Sequence, residues 1–330
     1  MDLSTTYLGL ELPHPIMPGA SPMAGDLDLV RRLEDAGAAA IVMYSLFEEQ
    51  IAGAPGSRHP AAHRQPRCPA HGHLSVPEGT TLGADEYLEQ LRRIKMSVGV
   101  PIIASLNGTT RGGWLGNARL LEEAGADAIE LNVYTLAMDA QESAQAVEER
   151  TIGMLRAVRA RVHIPVAVKL SPFYTALAHF ARRLDEEGPD GLVLFNRFYQ
   201  PGIDIEEEAQ GNDLRLSGAS ELPLRLRWLA ILAPRLRASL AASGGIHTTA
   251  DVVQAVMAGA HAVQLVAALL RAGPERLRAL RAQLAEWLEE HGYDSLRQIR
   301  GSASLGACPD PQACERVNYM RMLSSWRAGR

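Results

Sequence analysis

Eight short apolar runs, most of them followed after a turn by an amphipathic helical stretch, predict an α/β chain folded as a (βα)8 TIM barrel. Two observations favour the closed barrel over a doubly wound sheet. The first run, Pro15-Ile16-Met17-Pro18, opens into Gly19-Ala20-Ser21-Pro22 instead of the G-x-G-x-x-G turn of a dinucleotide-binding sheet. The length, 330 residues, holds one barrel of about 250 with room for insertions.

The runs at 15–18, 40–43, 102–105, 128–131, 166–169, 191–195, 239–242 and 262–265 are the predicted strands. Between them, apolar residues recur at three- and four-residue spacing over 27–36, 87–97, 115–124, 144–162, 176–187 and 250–258, the mark of helices with one buried face. Three of these end alike, in Ala36-Gly37-Ala38, Ala124-Gly125-Ala126 and Ala258-Gly259-Ala260. Glycine there supplies a left-handed cap and returns the chain to the next strand. A Gly-, Pro- and His-containing stretch at about 53–83 is an insertion after strand two. A last helix over 274–291 and a helical tail over about 292–330 complete a single domain, 1–330.

Composition excludes several function classes. Thirty-three basic against 38 acidic residues, net −5, with no basic run, leave no electrostatic footprint for nucleic acid. No apolar stretch reaches the ~18 residues of a membrane span, and Met1-Asp2-Leu3-Ser4 has neither part of a secretion signal. Cys68, Cys308 and Cys314 are odd in number and too few for an iron–sulfur cluster, which points to a reducing cytoplasm.

The C-terminal strand ends are where a barrel of this kind carries its chemistry. After strand seven, Ser243-Gly244-Gly245-Ile246 leads into a capping box at Thr248-Thr249-Ala250-Asp251: a tight turn with a helix cap, or a phosphate cradle. Strand eight ends in the small residues Val266, Ala267 and Ala268. Only two of the 33 basic residues are lysine, and one of them, Lys169, ends strand five on the same face as Ala167. In a chain that otherwise uses arginine, an inward lysine at a barrel mouth points to an anion, a cofactor or a carbonyl. Asn132 and Asn196 end strands four and six, so three successive strands finish in polar groups.

This ordered set resembles the FMN-dependent dihydroorotate dehydrogenase family over most of the barrel. Pro15 to Ser21 is similar to the family's first flavin-contacting strand end, Glu130-Leu131-Asn132 to its E-L-N, and Val168-Lys169-Leu170-Ser171-Pro172 to its V-K-L-x-P. Asn196 falls on the strand-six asparagine, Ser217-Gly218-Ala219 on the S/G-G segment and Gly244-Gly245-Ile246 on the phosphate-binding G-G-I. The resemblance implies bound FMN, held by Ala20, Ser21, Ser45, Asn132, Lys169, Asn196, Ser217, Gly218, Gly244, Gly245, Val266 and Ala267. Lys169 would then lie near the flavin pyrimidine edge. Asn107, at the end of strand three, is a flavin contact or an ordinary turn residue.

The substrate side departs from the family. Its strand-two lysine falls on Met43, and its N-S-M-G segment has no counterpart in the insertion. Where the family has N-x-S-C-P-N, with cysteine or serine as base, this chain reads Asn132-Val133-Tyr134-Thr135-Leu136-Ala137. The base position thus falls on Thr135, with Tyr134 as the alternative; a threonine hydroxyl needs a relay to accept its proton. The expected activity is oxidation of a CH–CH bond in dihydroorotate or a related substrate, by a divergent branch. Two other readings are a flavin-free barrel enzyme for a phosphorylated metabolite and a flavin-binding protein without turnover that serves as partner or regulator. The resemblance disfavours a quinone acceptor, leaving a fumarate-like acceptor or a separate electron-transfer subunit, and makes a homodimer plausible. His59, His63, Cys68, His71 and His73 match no zinc spacing, so no metal is expected, and Cys308 and Cys314 receive no role.

Overall fold

The computed structural model describes residues 1–47, 83–108, 111–134, 136–198, 202–204, 209–211 and 215–325. Eight parallel strands form one sheet: β1 (Ile16–Pro18), β2 (Ile41–Phe47), β3 (Ile102–Asn107), β4 (Ala128–Asn132), β5 (Val166–Leu170), β6 (Gly191–Leu194), β7 (Ser239–Ser243) and β8 (Ala262–Leu265). They are hydrogen-bonded in the order β1-β8-β7-β6-β5-β4-β3-β2. The Ala39 N–H donates to the Ile16 carbonyl at 3.2 Å, drawing the first and last members of that order together into a nearly closed barrel.

Strand pleating sorts side chains to two cores. Inside lie Met17, Val42, Ile103, Ala128, Ala167, Val193, Ala241 and Ala262, all buried and small enough to share the narrow lumen. A hairpin of Thr5–Tyr7 and Leu10–Leu12 plugs the bottom with Tyr7, Leu8 and Leu12. Its turn uses positive φ at Leu8 and Gly9, the pair that a two-residue hairpin demands. The larger core lies between the strands and the helices α1 (Leu27–Asp35), α2 (Ala84–Lys95), α3 (Arg111–Glu123), α4 (Ala144–Arg159), α5 (Leu177–Glu186), α6 (Leu222–Leu232) and α7 (Thr249–Ala258). Asp26, Ser143 and Thr248 cap α1, α4 and α7 through their side chains, and Asp251 closes the expected box on Thr248.

Three features differ from expectation. The helix α6 is absent from the sequence reading because Leu222, Leu224, Leu226 and Trp228 alternate with polar residues or proline and imitate a strand. Its inner face instead uses Leu222, Arg225, Leu229 and Leu232, with a buried arginine in the middle of the pattern. The second strand runs on to Phe47 and carries a register irregularity between Val42 and Ser45, where two residues, Met43 and Tyr44, oppose one on β3. The Tyr87 hydroxyl donates to the Tyr44 carbonyl there at 3.0 Å. Consequently Met43 does not stand at a strand end. It faces the outer core, fully buried, and the irregularity turns Ser45 inward. Finally, Cys308 and Cys314 are paired as a disulfide at the start of the helix Pro311–Ser324.

Candidate active site

Register pairs Ser105 with Glu130, Asn107 with Asn132 and Asn132 with Lys169, and places all five on the inward face above the apolar layer. Lys169 is 5% exposed, and its ammonium donates to Glu130 Oε1 at 3.0 Å and to Gln264 Oε1 at 2.8 Å. Gln264 comes from β8 on the far side of the lumen, and its amide N–H donates to Glu130 Oε2. Glu130 and Gln264 are each 1% exposed. A buried charge is tolerable only when paired and hydrogen-bonded, and this triad meets that condition. Among the described residues two of the three ammonium hydrogens are used, and both Lys169 and Gln264 line a cleft at the barrel mouth.

The cleft brings together Ala20, Lys169, Asn196, Ser217, Gly244, Gly245, Val266 and Ala267, with Phe195, Arg197 and Ser243 beside them. Gly244 and Gly245 have φ of +92° and +81°. A Cβ on Gly245 would stand 2.5 Å from the Leu222 nitrogen, and one on Gly244 would stand 3.0 Å from the Arg225 guanidinium. The turn is therefore restricted to glycine, which leaves its backbone accessible on the cleft side. Beneath it, Arg225 is 5% exposed and donates to the Ser243 carbonyl at 3.0 Å and the Glu221 carbonyl at 2.8 Å. Burial lowers the pKa of this guanidinium, and the nearby Glu221 opposes the shift. Ser217 accepts from the Gly245 N–H at 3.5 Å, and its carbonyl accepts from His247 Nε2 at 3.0 Å.

A polar chain joins the cleft to β2 and β3. Asn196 Nδ2 donates to Asn132 Oδ1 at 2.6 Å, Asn132 Nδ2 donates to Ser45 Oγ at 3.3 Å, and Ser45 and Ser105 share a hydrogen bond of 2.8 Å. Asn107 is buried and in register with Asn132. The other expected residues stand at the margin: Ser21 starts the turn Pro22–Gly25, and Gly218 precedes the turn Ala219–Glu221. Thr135 lies outside the described residues, as do the histidines and Cys68 of the insertion. The Tyr134 ring stacks on Phe198 with centroids 4.6 Å apart, and Phe173 meets Phe198 edge-on at 5.0 Å.

Sequence reasoning missed the roles of Gln264, Arg225 and this aromatic group. Gln264 had a visible signal, a polar residue two positions after Ala262 on the inward face.

The dihydroorotate dehydrogenase family profile matches residues 2–288, most of the chain and all eight strands. The chain belongs to the dihydroorotate dehydrogenase family. Among its relatives is a putative dihydroorotate dehydrogenase A (fumarate) of Aeropyrum pernix, 29% identical over 92% of this chain and 97% of that protein. The dihydroorotate dehydrogenase B (NAD(+)) catalytic subunit of Thermoplasma acidophilum is 26% identical over 92% of this chain and 99% of its own. The NAD-dependent dihydropyrimidine dehydrogenase subunit PreA of Escherichia coli K12 is 25% identical over 93% of this chain and 78% of its own. This dihydroorotate dehydrogenase family member is accordingly an oxidoreductase acting on CH–CH donors, and the enzymes of its family are flavin-dependent in general. Among the described residues no helix is long and apolar enough to cross a membrane.

Proposed function

We propose that the chain is an FMN-dependent dehydrogenase that oxidises dihydroorotate or a related cyclic substrate. The observation that carries this reading is the cleft itself, which holds a buried ammonium with one hydrogen unused among the described residues and a turn that admits only glycine. Those features fit a flavin mononucleotide: Lys169 would hold the polar edge of its ring, and Ser217, Gly244, Gly245, Val266 and Ala267 would hold its phosphate. When bound, the flavin supplies the two-electron acceptor that the side chains lack.

The residues of the chain do the rest. Arg225 fixes the Ser243 carbonyl under the Gly244–Gly245 turn and adds positive charge beneath it. Asn132 and Asn196 hold one another's amides in a single orientation, so their remaining donors and acceptors are fixed for the flavin. Thr135 is the proposed base, with Tyr134 as the alternative, taking the proton from the substrate carbon as the hydride leaves.

The substrate loop differs from the family's, so dihydroorotate itself is the first member of the screen and not its assumed answer. Two relatives are named as subunits, which supports a separate electron-transfer partner for this chain. The reading includes FMN as the flavin and the cytoplasm as its place of work. The test is anaerobic bleaching of the FMN-loaded protein by dihydroorotate, dihydrouracil and related CH–CH donors, followed by reoxidation with fumarate or with NAD+. Bleaching by one of them is the expected result. Protein that retains no FMN after reconstitution overturns the reading.

A further inference from the structure

The proposed FMN site accounts for Lys169 but not for the two buried side chains that hold it. Glu130, Lys169 and Gln264 come from β4, β5 and β8, and β8 lies four steps from β4 in the strand order. Gln264 therefore spans the lumen to reach both partners. Its oxygen accepts from Lys169 at 2.8 Å, and its nitrogen donates to Glu130 Oε2. The other Glu130 oxygen accepts from Lys169 at 3.0 Å. The ring of contacts is closed, and it fixes which end of the Gln264 amide faces the lysine.

The charge of this cluster matters more than its packing. A lone ammonium at this depth would present a full positive charge to a ligand in the cleft. With the carboxylate 3.0 Å away, ammonium and carboxylate together carry no net charge. At such depth screening by water is weak, so the carboxylate's contribution reaches the cleft with the lysine's.

We propose that Glu130 and Gln264 are positioning residues that set how much of the Lys169 charge the cleft feels, and that they hold the reduction potential of the bound flavin down. The inference rests on the flavin reading above. Two electrons and one proton entering the flavin leave one negative charge on it, and the electrons come from the CH–CH donor, which loses a hydride and a proton. A net positive cluster stabilises that product, whereas a neutral pair stabilises it less. Glu130 thus offsets what Lys169 alone would give, and Gln264 holds the carboxylate in place while adding no charge.

The test uses the FMN-loaded protein and the two-electron midpoint potential of its flavin, measured by equilibration with a reference dye. Glu130→Gln leaves the ammonium uncompensated and is expected to raise the reduction equilibrium about tenfold, or about 30 mV for two electrons. Gln264→Glu keeps the shape and sets a second carboxyl group against Glu130, where the two share one proton, so the cluster charge is unchanged and the equilibrium is expected to stay within about threefold of wild type. A raised equilibrium in the first variant without one in the second is not what lost packing produces. Flavin that stays bound at the wild-type potential in Glu130→Gln overturns the proposal. If that variant fails to fold, Glu130→Asp, which draws the carboxylate back from the ammonium, is expected to raise the equilibrium in its place, and no shift there overturns the proposal. Failure of wild-type protein to bind FMN strikes the underlying reading instead.

Discussion

Asn196 donates its side-chain amide to Asn132 Oδ1 at 2.6 Å, so the ends of two strands that are not neighbours in the barrel are locked together at the mouth. Asn132 then spends its own amide hydrogen on Ser45. Because each asparagine has distinct donor and acceptor ends, this direction fixes both side chains. Replacing Asn132 by leucine keeps the volume and removes both bonds, which leaves the Asn196 amide without its partner. An unpaired polar group costs about 1–3 kcal/mol when fully buried, and Asn196 is half-buried, so the low end of that range applies. FMN affinity, followed by quenching of flavin fluorescence, should fall about tenfold or more while the melting temperature moves only a few degrees. Unchanged affinity would show that the asparagine pair does not touch the flavin site.

The Gly244–Gly245 turn offers a test with an internal control. Gly245→Ala combines positive φ with a Cβ 2.5 Å from the Leu222 backbone, so the turn must move. Gly273→Ala has φ of +75° but open space around it. The control should lose about 1 kcal/mol through strain alone and keep its flavin. Gly245→Ala should lose more stability and, above all, its flavin content, measured by the absorbance of reconstituted protein. Equal flavin retention in the two variants would remove the turn from the cofactor site.

These sites differ in how far the sequence reveals them. Pleating has a period of two, so Lys169 could be placed inward at the mouth from Ala167 alone, and the same rule would have found Gln264 from Ala262. Met43 shows where that rule fails. The register irregularity before Ser45 inserts one extra residue into β2 and resets its inward face, and nothing in Ile41-Val42-Met43-Tyr44 marks it. Arg225 was hidden for another reason. A charge on the inner face of a helix contradicts the amphipathic pattern, and it takes the carbonyls of Glu221 and Ser243, with the Glu221 carboxylate 3.5 Å away, to explain its burial. The aromatic contacts among Tyr134, Phe173 and Phe198 join loops after three different strands, which only tertiary structure brings together.

The assignment of the base is open to a paired comparison. Tyr134 is stacked on Phe198, and a phenylalanine at this position keeps that stack. Tyr134→Phe should therefore retain turnover within about threefold, whereas Thr135→Ala should lose about 10²-fold or more, the scale of a missing general base. Both should bind FMN as the wild type does. The reverse pattern in kcat assigns the proton transfer to Tyr134.

Acid should weaken the fold through histidines held neutral. His14 is 2% exposed, with Nε2 2.7 Å from the Gly37 carbonyl and Nδ1 accepting from the Ile16 N–H at 3.2 Å. Only the neutral ring satisfies both contacts. Burial pushes its pKa down to about 4, and Arg281 adds to the effect against the opposing Gly37 bond. His261, whose Nδ1 accepts from the Leu240 N–H, is likewise lowered to about 4 by burial first and Arg300 second. Between pH 6.5 and about 4 the unfolded chain takes up protons that the folded chain does not, so these groups withdraw stability as the pH falls across that window. At about 1.4 kcal/mol per unit, His14 accounts for about 3 kcal/mol by pH 4. Urea midpoints at pH 7, 6, 5 and 4.5 should show this slope. His14→Gln, whose amide can still donate toward Gly37, should flatten it by the share of one histidine. An identical slope in the variant would show that His14 takes up its proton without unfolding.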